Sequence, residues 1–289
     1  MNIIDDIKLQ YKIGGIANRV IYWNVAVFLV SILFFYRYKL GIFEYPNWLV
    51  LSSKPTDLVY FPWTLLTYSF LHAGFWHLFF NMMVLNFSSR LFLTFFTQKQ
   101  FLGLYLLSAI FSGLFFVVSF YFLKINSPLV GASASVMAIL VATTTYHPLL
   151  PIKLFFVGQI KLWHLTALVL ILDLMRVQLD NTGGHIAHLS AALFGFLYIK
   201  LLLNGYDFSK IVSYVIDLFT NLFQPKKKTP FKKVYTTPHK VRTDNKKSTI
   251  IIKNKTQQQI DDILDKISKS GYESLNAEEK DFLFRAGKE

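Results

Sequence analysis

Residues 101–123 read FLGLYLLSAIFSGLFFVVSFYFL, 23 consecutive positions without a charge, closed by Lys124. A helix needs about 20 apolar residues to cross the hydrocarbon core of a bilayer, so this stretch is read as a membrane span. Working outward, Val20–Tyr36 is a second charge-free run, flanked by Arg19 and Arg37. Between the two, Pro62 and His72-Ala73-Gly74 break the long apolar run Leu58–Ser89. A loop is therefore expected up to Gly74, and a span from Phe75 to about Phe95, with Arg90 placed to snorkel at its inner end. Beyond Lys124, Pro128, Pro148 and Pro151 confine a fourth helix to about 131–147. Lys161–Val177 is the fifth span, able to begin as early as Leu154, and Asn181–Ile199 is the sixth. The expected fold is an all-α membrane protein: a six-transmembrane-helix bundle, residues 20–204.

Composition agrees. Hydrophobic residues make up 53% of the 289 positions and charged residues 16%, against about 25% charged in ordinary soluble domains. A soluble enzyme of this length could not hide so much Phe, Leu and Ile. The chain has no Cys, which removes disulfides, thiol nucleophiles, Fe–S clusters and Cys-zinc sites together.

Charge divides the chain further. Residues 1–199 hold 12 Lys/Arg against 6 Asp/Glu, and residues 200–289 hold 18 against 11. Met1–Ile16 has no apolar core and no small-residue cleavage site, so residues 1–19 are expected to form an amphipathic surface segment and not a signal peptide. Residues 205–223 read as an interfacial amphipathic segment, and 224–256 as a basic linker in which Ser248–Ile252 leaves a short strand open. Residues 225–256 carry 11 Lys/Arg and one acid, which places both chain ends in the cytoplasm and favours anionic lipid over nucleic acid as the tail's partner. In 257–289, Ile260, Ile263, Leu264 and Ile267 mark one helix face, Gly271 its stop, and Asn276 with Glu279 a capping-box start. That is a small C-terminal helical hairpin, too small to stand without a partner.

Polar groups inside spans are costly and are functional candidates by default. With the N-terminus inside, spans two, four and six all run from outside to inside. Each then carries its polar groups in its first turns: His77 and Asn81, Ser133 and Ser135, and His185 and His188. At 1.5 Å per residue these groups lie on the order of 10 Å below the outer surface. A hydroxyl, imidazoles and an amide at one depth suit acyl transfer: a serine nucleophile, a histidine base in His188 or His185, and oxyanion donors. Zinc is the rival chemistry for His72, His77, His185 and His188. There is no H-E-x-x-H, and no acid lies within four residues of any of them, so no metal and no other cofactor is expected. Asp173 and Arg176 are read as an i, i+3 pair, with a proton or ion path as the functional alternative for Asp173.

At these residues the chain resembles the rhomboid family of intramembrane serine proteases over about residues 15–204. The family's H-x-x-x-N is met by His77 and Asn81, with the frequent upstream His at His72. Its G-x-S-G is met by Gly131-Ala132-Ser133-Ala134, and its A-H-x-x-G-x-x-x-G by Ala187-His188, Ala191 and Gly195. The resemblance implies a rhomboid-like bundle with a Ser133–His188 dyad lacking a carboxylate member. It also implies an oxyanion site from His77, Asn81 and the Ser133 N–H, and His72, Gly131, Ala191 and Gly195 as supporting motif positions. Ala134 and Ala191 stand where the family has Gly, Thr64 stands where it has Arg after Trp63, and Met137 where an aromatic often packs on the imidazole. Ser270-Gly271-Tyr272-Glu273-Ser274-Leu275 resembles a C-terminal extension of Bacteroidetes rhomboids.

The implied function is an intramembrane serine endopeptidase cleaving transmembrane protein substrates near the outer face of a bacterial inner membrane. The alternative is a catalytically weak or inactive rhomboid-like protein that binds membrane helices. A transporter is disfavoured because no pseudo-symmetric halves occur.

Overall fold

The computed structural model describes residues 2–154, 158–177, 181–223 and 248–286. They fall into two compact units, Met1–Lys227 and Lys228–Glu289.

The first unit opens with α1 (Ile3–Ile13), from which Gly15, at φ +70°, turns the chain into α2 (Gly15–Phe35). The hairpin β1–β2 (Tyr36–Arg37 with Ile42–Phe43) follows. Then β3 (Leu51–Ser52) pairs antiparallel with β4 (Pro128–Leu129), stitching the first loop to the segment that leads into the serine. Short helices α3 (Pro55–Tyr60) and α4 (Thr64–Thr67) and a 3₁₀ turn at Tyr68–Phe70 complete that loop. The bundle continues with α5 (Phe75–Leu93), α6 (Gln98–Leu123), α7 (Ser133–Tyr146), α8 (Leu162–Arg176) and α9 (Thr182–Leu203). Helix α6 starts with a capping box between Thr97 and Gln100 and stops at Lys124 in the left-handed conformation. Helix α10 (Ser209–Phe223) returns against α6, where a Cβ on Gly103 would meet the Ser209 Cβ at 2.6 Å.

The fifth expected span, Lys161–Val177, is matched by α8 at Leu162–Arg176, and only its possible earlier start at Leu154 is excluded: Pro151–Leu154 (β5) pairs with Gly158–Lys161 (β6) in a hairpin. Pro151 opens the strand, and Gly158 supplies a positive φ of 84° as the second strand begins.

Helix α7 is the centre of the unit: every residue from Ala134 to Thr143 is buried. Around it, α2, α5 and α6 supply Phe28, Leu85, Phe92, Leu104 and Phe116 to one contiguous core. The outward faces are apolar as well, with Leu33, Phe34, Phe122 and Leu174 exposed, a surface suited to lipid. Helices α2, α6 and α9 are long and apolar enough to cross a membrane, with 21, 26 and 22 residues. Helix α5 has 19 residues, interrupted by His77, Asn81, Asn86 and Arg90. Helices α7 and α8 have 14 and 15 residues, about 21–23 Å at the usual rise.

In the second unit, α11 (Ser248–Ser270) ends at Gly271, φ +77°, and α12 (Ala277–Ala286) follows. Ser248–Ile252 is therefore helical and not a strand: it is continuous with the amphipathic run that follows. The Asn276 side chain accepts from the Glu279 N–H at 2.8 Å, and the Glu279 carboxylate accepts from the Asn276 N–H at 2.9 Å. Lys266 bridges to Glu279, and Ile263 and Leu275 are buried. Of the expected basic linker, residues 224–247 lie outside the described residues.

Candidate active site

Ser133 is the first residue of α7. Gly131 precedes it at φ +132°, a conformation that favours glycine. The Gly131 N–H donates to the Tyr68 carbonyl at 2.9 Å, which anchors the turn on the first loop. Tyr68 is itself fixed by donating its hydroxyl to the Ala109 carbonyl of α6. The serine hydroxyl then meets α9: His188 Nε2 lies 2.6 Å from Ser133 Oγ. Ser135, two residues on, faces away and donates to the Tyr105 carbonyl at 2.8 Å.

His188 sits in the second turn of α9. Asn181 caps that helix, its side chain accepting from the Gly184 N–H at 3.3 Å. The other ring nitrogen of His188 faces α8: Nδ1 is 3.0 Å from Asp173 Oδ1, and the same oxygen is 2.5 Å from His185 Nδ1. This corrects two expectations. A carboxylate does adjoin the histidine of the serine pair, and Asp173 is directed at the two imidazoles while Arg176 makes no ion pair with it among the described residues. The sequence signal existed. Helix α8 runs antiparallel to α9, so the last turns of the fifth helix lie at the same end of the bundle as the first turns of the sixth.

Asp173, His185 and His188 bring three potential ligand atoms within 4.8 Å of one another, a grouping that sequence spacing did not suggest. The 2.5 Å between Asp173 Oδ1 and His185 Nδ1 is a hydrogen-bond separation. Two donors bound tetrahedrally to zinc at about 2.0–2.1 Å would stand roughly 3.3 Å apart. As placed, the two groups share a hydrogen bond, and zinc would need them further apart.

On the opposite side, His77 faces the serine turn: a Cβ on Gly131 would lie 3.0 Å from His77 Nε2 and 3.5 Å from Ser133 Oγ. His77 Nδ1 accepts from the Ala73 N–H at 3.3 Å. That leaves Nε2 to carry the proton of the neutral ring and to donate toward the serine. Asn81 is buried one turn along and donates to the His77 carbonyl at 2.8 Å, with a second amide hydrogen still available. His72, in the loop before α5, is fully buried and meets His77 edge to face at 5.2 Å. Burial, and then the neighbouring His77, push its imidazole down to about 3, so it packs as a neutral ring.

Gly195 lies two turns beyond His188 on α9. A Cβ there would fall 2.3 Å from the Ala138 carbonyl oxygen, so α7 and α9 touch backbone to backbone. Ala191 and Ala134 are buried at the same seam, and their methyl groups are accommodated with the 2.6 Å contact intact.

A cavity of about 510 Å³ opens onto these groups from between α5, α7, α8 and α9. Trp76, His77, Asn81, Ser133, Met137, Asp173 and His188 are among its lining residues. A pocket of this size, apolar with a few convergent polar groups, has the make-up of a binding or active site.

The Rhomboid domain family model matches residues 61–205, half of the chain and all of the segment that builds this cavity. The chain belongs to the rhomboid family and is a membrane protein with a rhomboid domain. A second model, a family of unknown function (DUF6576), matches residues 251–288, the C-terminal helical pair. No curated protein matches the chain.

Proposed function

We propose that the chain is an intramembrane serine endopeptidase in which Ser133 is the nucleophile and His188 the general base. The observation that carries the reading is the 2.6 Å contact between Ser133 Oγ and His188 Nε2, both of which line the cavity. Attack on a peptide carbonyl forms the Oγ–C bond as the hydroxyl proton passes to His188 Nε2. Collapse breaks the C–N bond, with that proton going to the leaving amine, and water then reverses the sequence to release the acyl group. The developing oxyanion is met by His77 Nε2–H, the free amide hydrogen of Asn81 and the Ser133 N–H. That last group belongs to the first turn of α7, where N–H groups lack intrahelical partners.

Substrates are transmembrane proteins with helix-breaking residues near the cut, since a carbonyl bound within a helix cannot reach the serine. In this reading α5, α7 and α8 join α2, α6 and α9 as six crossings of a bacterial inner membrane, with the site toward the outer face and both chain ends cytoplasmic. Helices α1 and α10 lie on the inner surface, the basic tail meets anionic lipid and not nucleic acid, and an unidentified partner covers the C-terminal pair. Kinship of the tail with Bacteroidetes rhomboids belongs to the same proposal.

The test is labelling by a fluorophosphonate probe in detergent, with cleavage of a transmembrane substrate measured alongside. Wild type should label and cleave, Ser133→Ala should do neither, and Ser135→Ala should retain most of both. Loss on Ser135→Ala with retention on Ser133→Ala would refute the assignment.

A further inference from the structure

We infer that Asp173 is a positioning residue of the catalytic assembly, holding His188 so that Nδ1 carries the proton and Nε2 is free to accept from Ser133. The inference rests on the serine-protease reading above and adds a third member to the reacting pair. Asp173 is the one buried carboxylate among the described residues, and burying a carboxylate is costly unless hydrogen bonds compensate it. Its cost is met at the back of the catalytic imidazole: Oδ1 lies 3.0 Å from His188 Nδ1, while Nε2 of the same ring lies 2.6 Å from Ser133 Oγ. The three groups come from α7, α9 and α8 and form a chain of two hydrogen bonds. A carboxylate oxygen has only lone pairs to offer, so it selects the tautomer with Nδ1–H. It also stabilises the imidazolium formed when the serine proton arrives, without taking that proton itself.

His185, one turn earlier on α9, contacts the same oxygen at 2.5 Å. Its effect is to hold the carboxylate oxygen that also meets His188. The plainer role for Asp173 is to tie α8 to α9, and the structure supplies a control for it. Thr166 of α8 meets Thr144 of α7 at 2.6 Å, a polar tie of the same helix that touches neither histidine.

The experiment compares full-length wild type, Ser133→Ala, Asp173→Asn and Thr166→Val in detergent. It reads probe-labelling rate, kcat and KM on a transmembrane substrate, and the thermal midpoint. Asp173→Asn should lower kcat and labelling by more than tenfold and up to about 10⁴-fold, the loss a soluble serine-protease triad suffers when its Asp becomes Asn, with KM within about threefold. Thr166→Val should keep kcat within about tenfold whatever its effect on the midpoint. The inference is overturned if Asp173→Asn keeps kcat within tenfold, or if both variants lose activity together through KM. ¹⁵N shifts of His188 in the wild type give a reading that needs no folded variant: a neutral ring protonated at Nδ1 supports the inference, and one protonated at Nε2 overturns it. A wild type that labels no more than Ser133→Ala would sink the protease reading itself and this inference with it, an outcome distinct from a labelled wild type with a fully active Asp173→Asn.

Discussion

Asn81 uses one amide hydrogen on its own helix, donating to the His77 carbonyl, and keeps the other for the cavity. Those two bonds make opposite predictions. If the free hydrogen meets an oxyanion, Asn81→Ala should lower kcat by roughly 10²–10³, as loss of one such donor does in soluble serine proteases, with the thermal midpoint nearly unchanged. Should the midpoint fall while turnover stays within a few-fold, the helix bond is the whole of its role. Ser133, His188, His77 and Asn81 were legible because each is a polar group in the first turns of an apolar helix, where spacing alone fixes depth and facing. Asp173 was legible only in part. Its carboxylate in a bundle short of acids marked it as unusual, but its partners lie 12 and 15 residues away across a helix reversal. Local i, i+3 logic pointed to Arg176 instead. The extended loop around Trp63 was harder still. Trp63 donates its indole N–H to the Trp48 carbonyl at 2.7 Å, a contact set by loop geometry that no periodicity reports.

The seam between α7 and α9 sets the distance between nucleophile and base, and small residues set the seam. Gly195 shares a face with His188, seven positions earlier, because two helical turns bring the chain back to the same side. Its backbone rests on Ala138, leaving no room for a methyl group at 2.3 Å from a carbonyl oxygen. Gly195→Ala must therefore push α9 away from α7 and open the 2.6 Å contact. The expected cost is about 1–3 kcal/mol of stability, in the range of overpacked cores, together with a clear loss of turnover in the labelling assay. Ala134 and Ala191 carry methyl groups already seated in the packing, both fully or nearly fully buried. Returning either to glycine should change turnover by no more than a few-fold, and a rise of tenfold or more would mean that the methyl groups do hold the helices apart. The hairpin β5–β6 shows the limit of reading elements from hydropathy. Pro151-Ile152-Lys153-Leu154 is apolar enough to prolong a span, yet its backbone hydrogen bonds run to Gly158–Lys161.

At the scale of the whole chain, the division between catalytic core and tail follows from where the cavity wall comes from. Every residue that lines it falls between Trp76 and His188, and α9 is complete by Leu203. Helix α10 belongs with the core: Ser209 sits on Gly103 of α6, and Asp207 both accepts from the Gln100 side chain at 3.2 Å and caps Ser209. A cut before Ser209 would expose α6, whereas a cut after Phe223 removes no residue packed in that set. The C-terminal pair has its own capping box and its own Lys266–Glu279 bridge, and among its described residues Ile263 and Leu275 are the buried apolar side chains. Under the proposed function, the basic run before it would contribute about 1 kcal/mol per Lys or Arg at an anionic bilayer surface. Truncation after Phe223 should accordingly leave a folded, inserted core that labels with a fluorophosphonate at close to the wild-type rate in neutral detergent. Its binding to vesicles containing anionic lipid should weaken, and that difference should shrink as salt is raised past physiological ionic strength, because exposed charges are then screened. A truncated core that inserts and unfolds cooperatively yet no longer labels would show that the tail completes the active site, and the boundary at Phe223 would have to be abandoned.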